Sequence, residues 1–287
     1  MKIAIAQAYN GIHRDFKQHL NQLGVASFYF NIDNPDWFKV LSKKPTAYIW
    51  LADQKEERYR EIHDRIYFIQ KILKQPIFPD MNMYFAEGDK IKQWQVLNYL
   101  KAPIPKTYIL NDKIKALKLI NIIKYPFVLK DPYGYGGHHV FKIKNKSEAR
   151  KYLNQIFGAG LKIHHSICKD IFYAQEFIVS TRDLRVITIG NKVYCAYWRV
   201  GQPGNWKHNL DQGATANFTN IPSQALKLCE KISRKMSFHW MGYDLLVDSQ
   251  KNVKLIEYSS CVRTKGASQG GYNVRQAQIK YIISKVK

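Results

Sequence analysis

The sequence predicts an α+β and α/β protein in which a small N-terminal parallel α/β domain is followed by two α+β subdomains. In residues 1–85, strand-like runs alternate with helix-like runs, a pattern typical of a parallel sheet flanked by helices. In residues 173–287, strand-like runs follow one another through short turns, which indicates antiparallel pairing. A helix and two strands around a glycine-rich turn lie in residues 86–172, and these three ranges are the predicted domains.

The N-terminal unit is predicted to open with a strand, Ile3 to Ala6, and a helix, Asp15 to Leu23, that stops at Gly24. A second helix places its aliphatic residues three or four positions apart, so that they share one face. The remaining predicted elements are strands at 26–30, 48–51 and 76–78 and the second helix at 58–73, with Ile62, Ile66, Ile69 and Leu73 on its apolar face.

The central unit is predicted to begin with a helix from Lys90 to Leu100, which a Pro-Ile-Pro break at 103–105 ends. Strands at 127–130 and 140–144 then flank the glycine-rich turn. Ser147 is predicted to cap a helix that runs to Phe157.

The C-terminal unit is predicted to hold an antiparallel set of strands, a helix with one apolar face, a hairpin and a final helix. The predicted strands are 173–179, 184–189, 192–199, 243–248 and 253–259, and the predicted helices lie around 226–236 and at 276–286.

The composition restricts the class of protein without identifying a function. The 45 Lys and Arg residues against 22 Asp and Glu residues give a formal net charge of +23, which attracts nucleotides, acidic peptides, nucleic acid or anionic membranes. Lysine-rich solvated surfaces are also common, so the charge does not decide among these partners. The four cysteines form no CxxC pair, which supports neither a zinc site nor a redox motif. No apolar run is long enough to span a membrane and no signal peptide is visible, so we expect a cytoplasmic protein.

A lysine and a glycine-rich turn stand together in the central unit, where Lys130 ends a strand-like run and Gly134, Gly136 and Gly137 follow. Because the residues after the glycines are strand-like, the turn is neither a dinucleotide fingerprint, which opens a helix, nor a Walker loop, which needs a following GK[ST]. Glycines let backbone N–H groups approach phosphate oxygens, and the lysine offsets the phosphate charge. The pattern predicts a phosphate-binding loop, with an ordinary glycine-rich hairpin as the alternative.

Two carboxylates, Asp244 and Glu257, stand on the predicted strands of the last hairpin. If Asp248 pairs with Val253, Asp244 lies directly opposite Glu257, and Ser259 shares their face. Carboxylates in that position repel each other unless a cation lies between them, and Mg2+ prefers such oxygen ligands. The hairpin therefore predicts a magnesium site, with solvent-facing acids on an edge hairpin as the alternative.

Asp183 and Arg185 share one strand face of the preceding hairpin, which turns at Gly190-Asn191. The simple register of this two-residue turn directs Arg199 to the other face unless a β-bulge intervenes. The polar loop that follows, residues 201–213, is a place where substrate contacts are expected.

Taken together, these residues resemble the ATP-grasp superfamily, and in particular its RimK-like carboxylate–amine ligases. The resemblance covers about residues 85 to 262 and rests on several motifs in order. It implies an ATP-grasp fold, in which two α+β subdomains sandwich the nucleotide. The matching segments are Asp89-Lys90-Ile91-Lys92 with Pro105-x-Thr107, Val128-Leu129-Lys130 with Gly134–Gly137, Gln175-Glu176-Phe177-Ile178, Asp183-Leu184-Arg185-Val186 with Ile189-Gly190 and Ala196-x-x-Arg199, Asn209 in Asn-Leu-Asp-Gln-Gly, Gly242-Tyr243-Asp244, and Leu255-Ile256-Glu257.

The resemblance implies a role for each group of residues, with ATP and one or two Mg2+ ions as cofactors. One departure is that Ser259 stands where the family usually has asparagine, and this shorter, neutral ligand predicts a weaker second metal site. The implied nucleotide-binding residues are Lys90, Lys130, Gly134, Gly136, Gly137, Gln175, Glu176, Phe177 and Asp183; the implied metal ligands are Asp244, Glu257 and Ser259; the implied catalytic residues are Arg185, Arg199 and Asn209; and the implied substrate contacts are Lys207, His208 and Arg263.

The activity that the resemblance implies is ATP-dependent formation of an amide or peptide bond. A substrate carboxylate attacks the γ-phosphate of ATP, and an amine then displaces phosphate from the resulting acyl phosphate. The positive charge favours an acidic amino acid, peptide or protein terminus as substrate. The alternatives are a nucleotide-binding or regulatory ATP-grasp protein with weakened catalysis, suggested by Ser259, and a basic nucleic-acid-binding protein, for which the sequence carries no RRM, KH or helix-turn-helix signature.

Overall fold

The structure is a computed structural model that describes residues 1–7, 11–51, 56–134, 140–163, 166–201, 206 and 214–287. Within these ranges, no helix combines the length and the apolar character needed to cross a membrane.

A parallel sheet forms the N-terminal unit, as predicted. Its first strand is buried from Ile3 to Ala6, as expected for a parallel strand that is covered on both faces. The strands are β1 (Lys2–Ala6), β2 (Ala26–Phe30), β3 (Ala47–Ile49) and β4 (Ile77–Phe78), in the order β2-β1-β3-β4, and they are connected by α1 (Ile12–Gln22), a 3-10 helix (Trp37–Lys43), α2 (Glu56–Tyr67) and a π-helical turn (Phe68–Ile72).

The central unit is built on a second, antiparallel sheet, and helices pack on it around a separate hydrophobic core. Two helices precede the sheet, α3 (Met81–Tyr84) and α4 (Lys90–Tyr99). The other elements are β5 (Thr107–Leu110), α5 (Lys113–Ile122), β6 (Phe127–Lys130), β7 (Val140–Ile143), α6 (Lys146–Ile156), β8 (Leu161–Ile163), β9 (Ser166–Cys168) and β10 (Phe172–Glu176), with sheet order β5-β10-β6-β7 and a separate β8-β9 hairpin.

Two expectations for this region are wrong. The segment 173–179 was expected to join the C-terminal antiparallel set, but β10 pairs with β5 and β6, where Phe172 packs against Phe127 at 6.2 Å between ring centroids. The helix α6 is capped by Asn145, whose Oδ1 accepts a hydrogen bond from the N–H of Glu148 at 2.9 Å, and not by Ser147. The division into three domains at 85/86 and 172/173 stays a prediction.

The C-terminal unit is a five-stranded antiparallel sheet covered by helices. The element α7 lies on one face of this sheet, where Tyr243 Oη and Ser233 Oγ are 2.6 Å apart. The elements are β11 (Arg182–Ile189), β12 (Lys192–Val200), β13 (Thr215–Asn217), α7 (Ser223–Lys235), β14 (Trp240–Val247), β15 (Val253–Ser259), α8 (Lys265–Gln269) and α9 (Val274–Val286), with sheet order β13-β12-β11-β14-β15.

The N-terminal and C-terminal units share one hydrophobic core, although they are distant in sequence. Phe16 of α1 and Ile5 of β1 belong to the same buried cluster as Trp240 and Tyr243 of β14. Phe78 stacks on Trp240 at 6.5 Å between ring centroids. Leu97 of α4 belongs to this cluster too, so it is the central sheet with its own core that lies against a single composite body.

Candidate active site

The strand register brings three predicted site residues into one row across the C-terminal sheet. Arg185 on β11 lies opposite Asp244 on β14, and Asp244 lies opposite Glu257 on β15. Because side chains alternate along a strand and Tyr243 points toward α7, Asp244 faces away from that helix. The row is therefore on the face that α7 leaves uncovered.

The predicted opposition of Asp244 and Glu257 is confirmed, but a different register produces it. Val247, and not Asp248, pairs with Val253, and a β-bulge at Ile256 then shifts the pairing by one residue. Asp248 instead closes the turn, where its Oδ1 accepts hydrogen bonds from backbone N–H groups of the loop. The bulge compensates for the shorter turn and restores the carboxylate pair.

Arg199 faces the site because β12 also carries a bulge. Thr188 pairs with Val193, but the preceding Ile187 pairs with Cys195. Tyr194, which lies between Val193 and Cys195, therefore has no partner on β11. Arg199 therefore lies opposite Asp183. The simple register predicted for this hairpin is wrong, and the bulge that would bring Arg199 into the site is present.

Four charged side chains form a connected network on this face. Arg199 Nη2 donates to Asp183 Oδ2 at 2.9 Å and lies 3.0 Å from Asp244 Oδ1, while Arg185 Nε lies 2.8 Å from the same oxygen. Burial raises the pKa of Asp244, but the guanidinium groups of Arg185 and Arg199 outweigh this effect and hold the pKa below its ordinary value. Burial also raises the pKa of Asp183, and the Arg199 guanidinium opposes that rise. Asp244 is therefore ionised at neutral pH.

The carboxylate pair fits a divalent cation. Asp244 Oδ1 is buried, and within the described part of the chain no N–H group donates to it with hydrogen-bond geometry, even though two guanidinium nitrogens are close. Glu257 is half-buried and supplies a second carboxylate directly across the sheet. The described ranges contain no cluster of three or more His, Cys, Asp or Glu side chains that could hold a metal by themselves. A magnesium ion here would complete its coordination with phosphate oxygens and water, as Mg2+ commonly does.

Lys130 and Lys90 bring positive charge to the same place from the central unit. Lys130 is 7% exposed, and its Nζ donates to Gln175 Oε1 at 2.7 Å. Burial lowers the pKa of Lys130 to about 8, and the nearby Glu257 carboxylate acts in the opposite direction. Lys90 Nζ donates to the carbonyl of Gly134, and the Lys90 N–H donates to Pro132 O at 2.9 Å. The start of the glycine loop is therefore attached to the first turn of α4.

The predicted nucleotide hinge, Gln175-Glu176-Phe177, lies at the end of β10. Gln175 is buried and its Nε2 donates to Thr107 Oγ1 at 2.9 Å. Glu176 is exposed, and its Oε2 accepts from the Lys106 N–H at 3.1 Å. Phe177 is half-buried and contacts the Trp206 ring at 5.9 Å between centroids. The nucleotide-binding roles of these residues stay predictions.

Several predicted residues lie outside the described ranges or away from the network. Arg263 is exposed on the segment between β15 and α8. The predictions that fall outside the described residues are Gly136, Gly137, Lys207, His208 and Asn209.

Sequence reasoning missed Glu87, Gln93 and Trp94, which stand close to the Asp89-Lys90 motif. Glu87 accepts a hydrogen bond from Ser259 Oγ at 2.8 Å, although the two residues are 172 positions apart in the chain. No periodic pattern could have indicated this contact, because it depends on how two units pack. A small cleft between α4, β10 and β15 is lined by Lys90, Gln93, Trp94, Leu97, Ile104, Tyr173, Gln175, Leu255 and Ile256.

Comparisons with known proteins agree with this geometry. Residues 87–282 match the RimK-like ATP-grasp domain family. The chain is 26% identical to the α-aminoadipate–LysW ligase LysX of Saccharolobus solfataricus over 228 residues. This aligned region covers 78% of this chain and 79% of that protein. It is also 28% identical to the tetrahydromethanopterin:α-L-glutamate ligase of Methanocaldococcus jannaschii over 193 residues. That aligned region covers 64% of this chain and 62% of that protein.

A solved structure shows the same fold. The ATP-grasp ligase PsnB, complexed with its minimal precursor, Mg and ADP, superposes with a TM-score of 0.70 at 13% identity, over 99% of this chain and 98% of that chain. Because the family match spans more than half of the sequence, the chain belongs to the RimK-like ATP-grasp family, which confirms the predicted fold and the predicted class of ATP-dependent C–N ligase.

Proposed function

We propose that this protein uses ATP and Mg2+ to activate a substrate carboxylate as an acyl phosphate and to join it to an amine. The observation that carries the proposal is the row Arg185–Asp244–Glu257 on the open face of the C-terminal sheet, with Lys130 approaching from the central sheet. Phosphoryl transfer requires two kinds of group that this site contains. Carboxylates hold a metal cation, and positively charged side chains offset the charge of the phosphate oxygens.

Asp244 and Glu257 would hold the magnesium ion, and Lys90 and Lys130 would balance the remaining phosphate charge. A bound Mg2+ supplies charge neutralisation between phosphate groups and orients the γ-phosphate for attack. The buried position of Lys130 makes its charge effective, because the interaction between charges strengthens where water is excluded.

Arg185 and Arg199 would stabilise the oxygens of the transferring phosphoryl group. Both are already held in position by carboxylates, Arg185 by Asp244 and Arg199 by Asp183 and Asp244. Such preorganised charges need no rearrangement as the reaction proceeds, and removal of one typically costs about 100- to 1,000-fold in rate.

The glycine loop that begins at Gly134 would close over the phosphates and exclude water from the acyl phosphate. The contacts of Lys90 with Pro132 and Gly134 support this assignment, because they connect the base of the loop to a predicted phosphate-binding lysine. Asn209, Lys207 and His208 stay candidates for substrate contacts on the loop after β12.

We infer that the substrate is acidic. The net charge of +23 favours an anionic substrate or carrier. The names of two relatives specify α-aminoadipate and α-L-glutamate, both of which are acidic amino acids. PsnB was solved with a precursor, which supports a peptide as a further kind of acceptor.

The test is a screen for ADP and phosphate release with acidic amino acids and acidic peptides as carboxylate and amine donors. We expect release only when ATP, Mg2+, a carboxylate and an amine are all present, and its loss in Asp244→Ala. Full activity of Asp244→Ala would exclude the site. Binding of ATP without turnover on any acceptor would favour the nucleotide-binding regulatory protein that Ser259 suggests.

A further inference from the structure

Glu87 is a buried carboxylate beside the candidate metal site, and the mechanism above gives it no role. It lies on the turn between α3 and α4 and is 1% exposed. Its Oε1 accepts a hydrogen bond from Ser259 Oγ at 2.8 Å, and its Oε2 accepts one from the Ser260 N–H. Burial raises the pKa of Glu87 above its ordinary value, and the hydrogen bonds from Ser259 and Ser260 oppose that rise without cancelling it. A carboxylate buried in this way contacts the segment that directly follows Glu257.

The contact belongs to a wider attachment between α4 and the edge strand β15. Gln93 Nε2 donates to Tyr258 O at 2.9 Å, and Gln93 Oε1 accepts from the Tyr258 N–H at 3.2 Å. An edge strand presents backbone groups that need partners, and Gln93 supplies both a donor and an acceptor. Gln93 and Glu87 together bind three consecutive residues, 258–260, and so fix the end of β15 relative to Lys90.

The contacts that described residues make with Ser259 leave its hydroxyl oxygen able to bind one more group. A serine hydroxyl has one hydrogen and two lone pairs. The hydrogen is donated to Glu87, and one lone pair accepts the Cys261 N–H at 3.1 Å. Ser259 lies opposite Gly242 and shares a face with Glu257 and Asp244, so the second lone pair remains for a cation on that face.

We propose that Glu87 is a positioning residue that makes Ser259 Oγ an effective oxygen ligand of the divalent cation. The inference rests on the proposed function, because it requires Asp244 and Glu257 to hold that cation. A carboxylate that accepts the hydrogen of a ligand orients the ligand and increases its basicity, and loss of such a partner typically costs about 10- to 100-fold in metal affinity. Glu87 thereby compensates for the shorter, neutral side chain at the position where asparagine was expected.

The experiment measures Mn2+ affinity for the full-length protein in the presence of a non-hydrolysable ATP analogue, by electron paramagnetic resonance of free Mn2+. The variants are Glu87→Gln, Ser259→Ala and the double variant, with Glu148→Gln as a matched control, a half-buried carboxylate on the first turn of α6 that also accepts a backbone N–H. We expect Glu87→Gln to bind Mn2+ about tenfold more weakly. The double variant should be no weaker than Ser259→Ala, since Glu87 acts through Ser259.

Three outcomes overturn the inference. These are unchanged Mn2+ affinity in Glu87→Gln, additive losses in the double variant, and an equal loss in the Glu148→Gln control. If Glu87→Gln fails to fold, Ser259→Ala decides, because wild-type Mn2+ affinity in that variant removes the proposed ligand. Failure of the proposed function has a different signature, in which Asp244→Asn also leaves Mn2+ affinity unchanged.

Discussion

At the scale of single residues, the site depends on side chains whose pKa is shifted by burial. Lys130 is enclosed between the central and C-terminal sheets, and its pKa of about 8 lies below the ordinary lysine value of 10.5. An amine with this pKa is mostly charged at pH 7 and increasingly neutral above pH 8. Nucleotide phosphates favour the charged form, so binding above pH 8 requires uptake of a proton.

We therefore predict that nucleotide affinity falls as pH rises from 8 to 10, by up to about tenfold per pH unit. Isothermal calorimetry in buffers of different ionisation enthalpy measures both the affinity and the proton uptake. Lys130→Met should bind weakly at every pH and show no decline, whereas Lys118→Met, an exposed control, should behave as wild type. A flat wild-type profile would contradict the prediction.

Gly242 shows how closely one residue determines the position of another. A Cβ atom at Gly242 would lie 2.7 Å from Arg185 Nη1, too close for the guanidinium to stay in place. Since Arg185 is held against Asp244, we predict that Gly242→Ala lowers kcat by about 100-fold, the size typical of a lost charge contact.

Steady-state kinetics check this prediction, with a thermal melt to confirm that the variant folds. If the effect acts through Arg185, then Gly242→Ala combined with Arg185→Ala should be no slower than Arg185→Ala alone. Additive losses in rate would indicate another cause.

At the scale of elements, two bulges and one edge strand decide the geometry. The bulges in β12 and β15 bring Arg199 and Glu257 onto the face that carries Asp244. The backbone groups on the outer edge of β15 are satisfied by two partners. Gln93 of α4 accepts a hydrogen bond from the Tyr258 N–H, and Pro103 O accepts one from the Leu255 N–H at 2.8 Å. The strands themselves were predictable from alternating residues. The bulges were not, because a one-residue shift in the pairing of two strands hardly changes the pattern of apolar and polar residues.

We predict that Gln93→Ala destabilises the protein by about 3 kcal/mol, since it removes three buried hydrogen bonds, two with Tyr258 and one with Ala86 O, worth about 1 kcal/mol each. Urea denaturation measures the change. Gln224→Ala, which removes an exposed hydrogen bond to Lys251 O, should cost less than about 0.5 kcal/mol. Equal costs in the two variants would contradict the role of Gln93 at the strand edge.

At the scale of the whole molecule, the central unit has a core of its own and meets the composite body across the site. Lys130 lies on the central sheet, whereas Asp244 and Glu257 lie on the composite body, to which α4 with Lys90 is also packed through Leu97. A magnesium nucleotide between them would join the two bodies, and a ligand that binds only the folded state raises its stability.

We predict that the Mg2+ complex of a non-hydrolysable ATP analogue, at about 100 times its dissociation constant, stabilises the protein by about 2.7 kcal/mol. This corresponds to a rise of roughly 5 °C in Tm. Differential scanning calorimetry checks the rise, and Asp244→Asn should lose the part that depends on Mg2+. A rise of the same size in Asp244→Asn would place the cation elsewhere.

The sequence by itself determined the class of each unit and the lysine before the glycine loop, because these follow from local periodicity and from residues near one another in the chain. It also indicated the opposition of Asp244 and Glu257, although the bulge in β15 produces that opposition through a different register. Only the tertiary structure decided that β10 belongs to the central sheet, that Arg199 faces Asp183, and that Glu87 contacts Ser259. Those contacts depend on which surfaces bury each other and on where a ladder slips by one residue. The packing and register with the lowest free energy for the complete molecule are the ones that form. They cannot be predicted from short stretches of sequence, which lack the distant contacting residues.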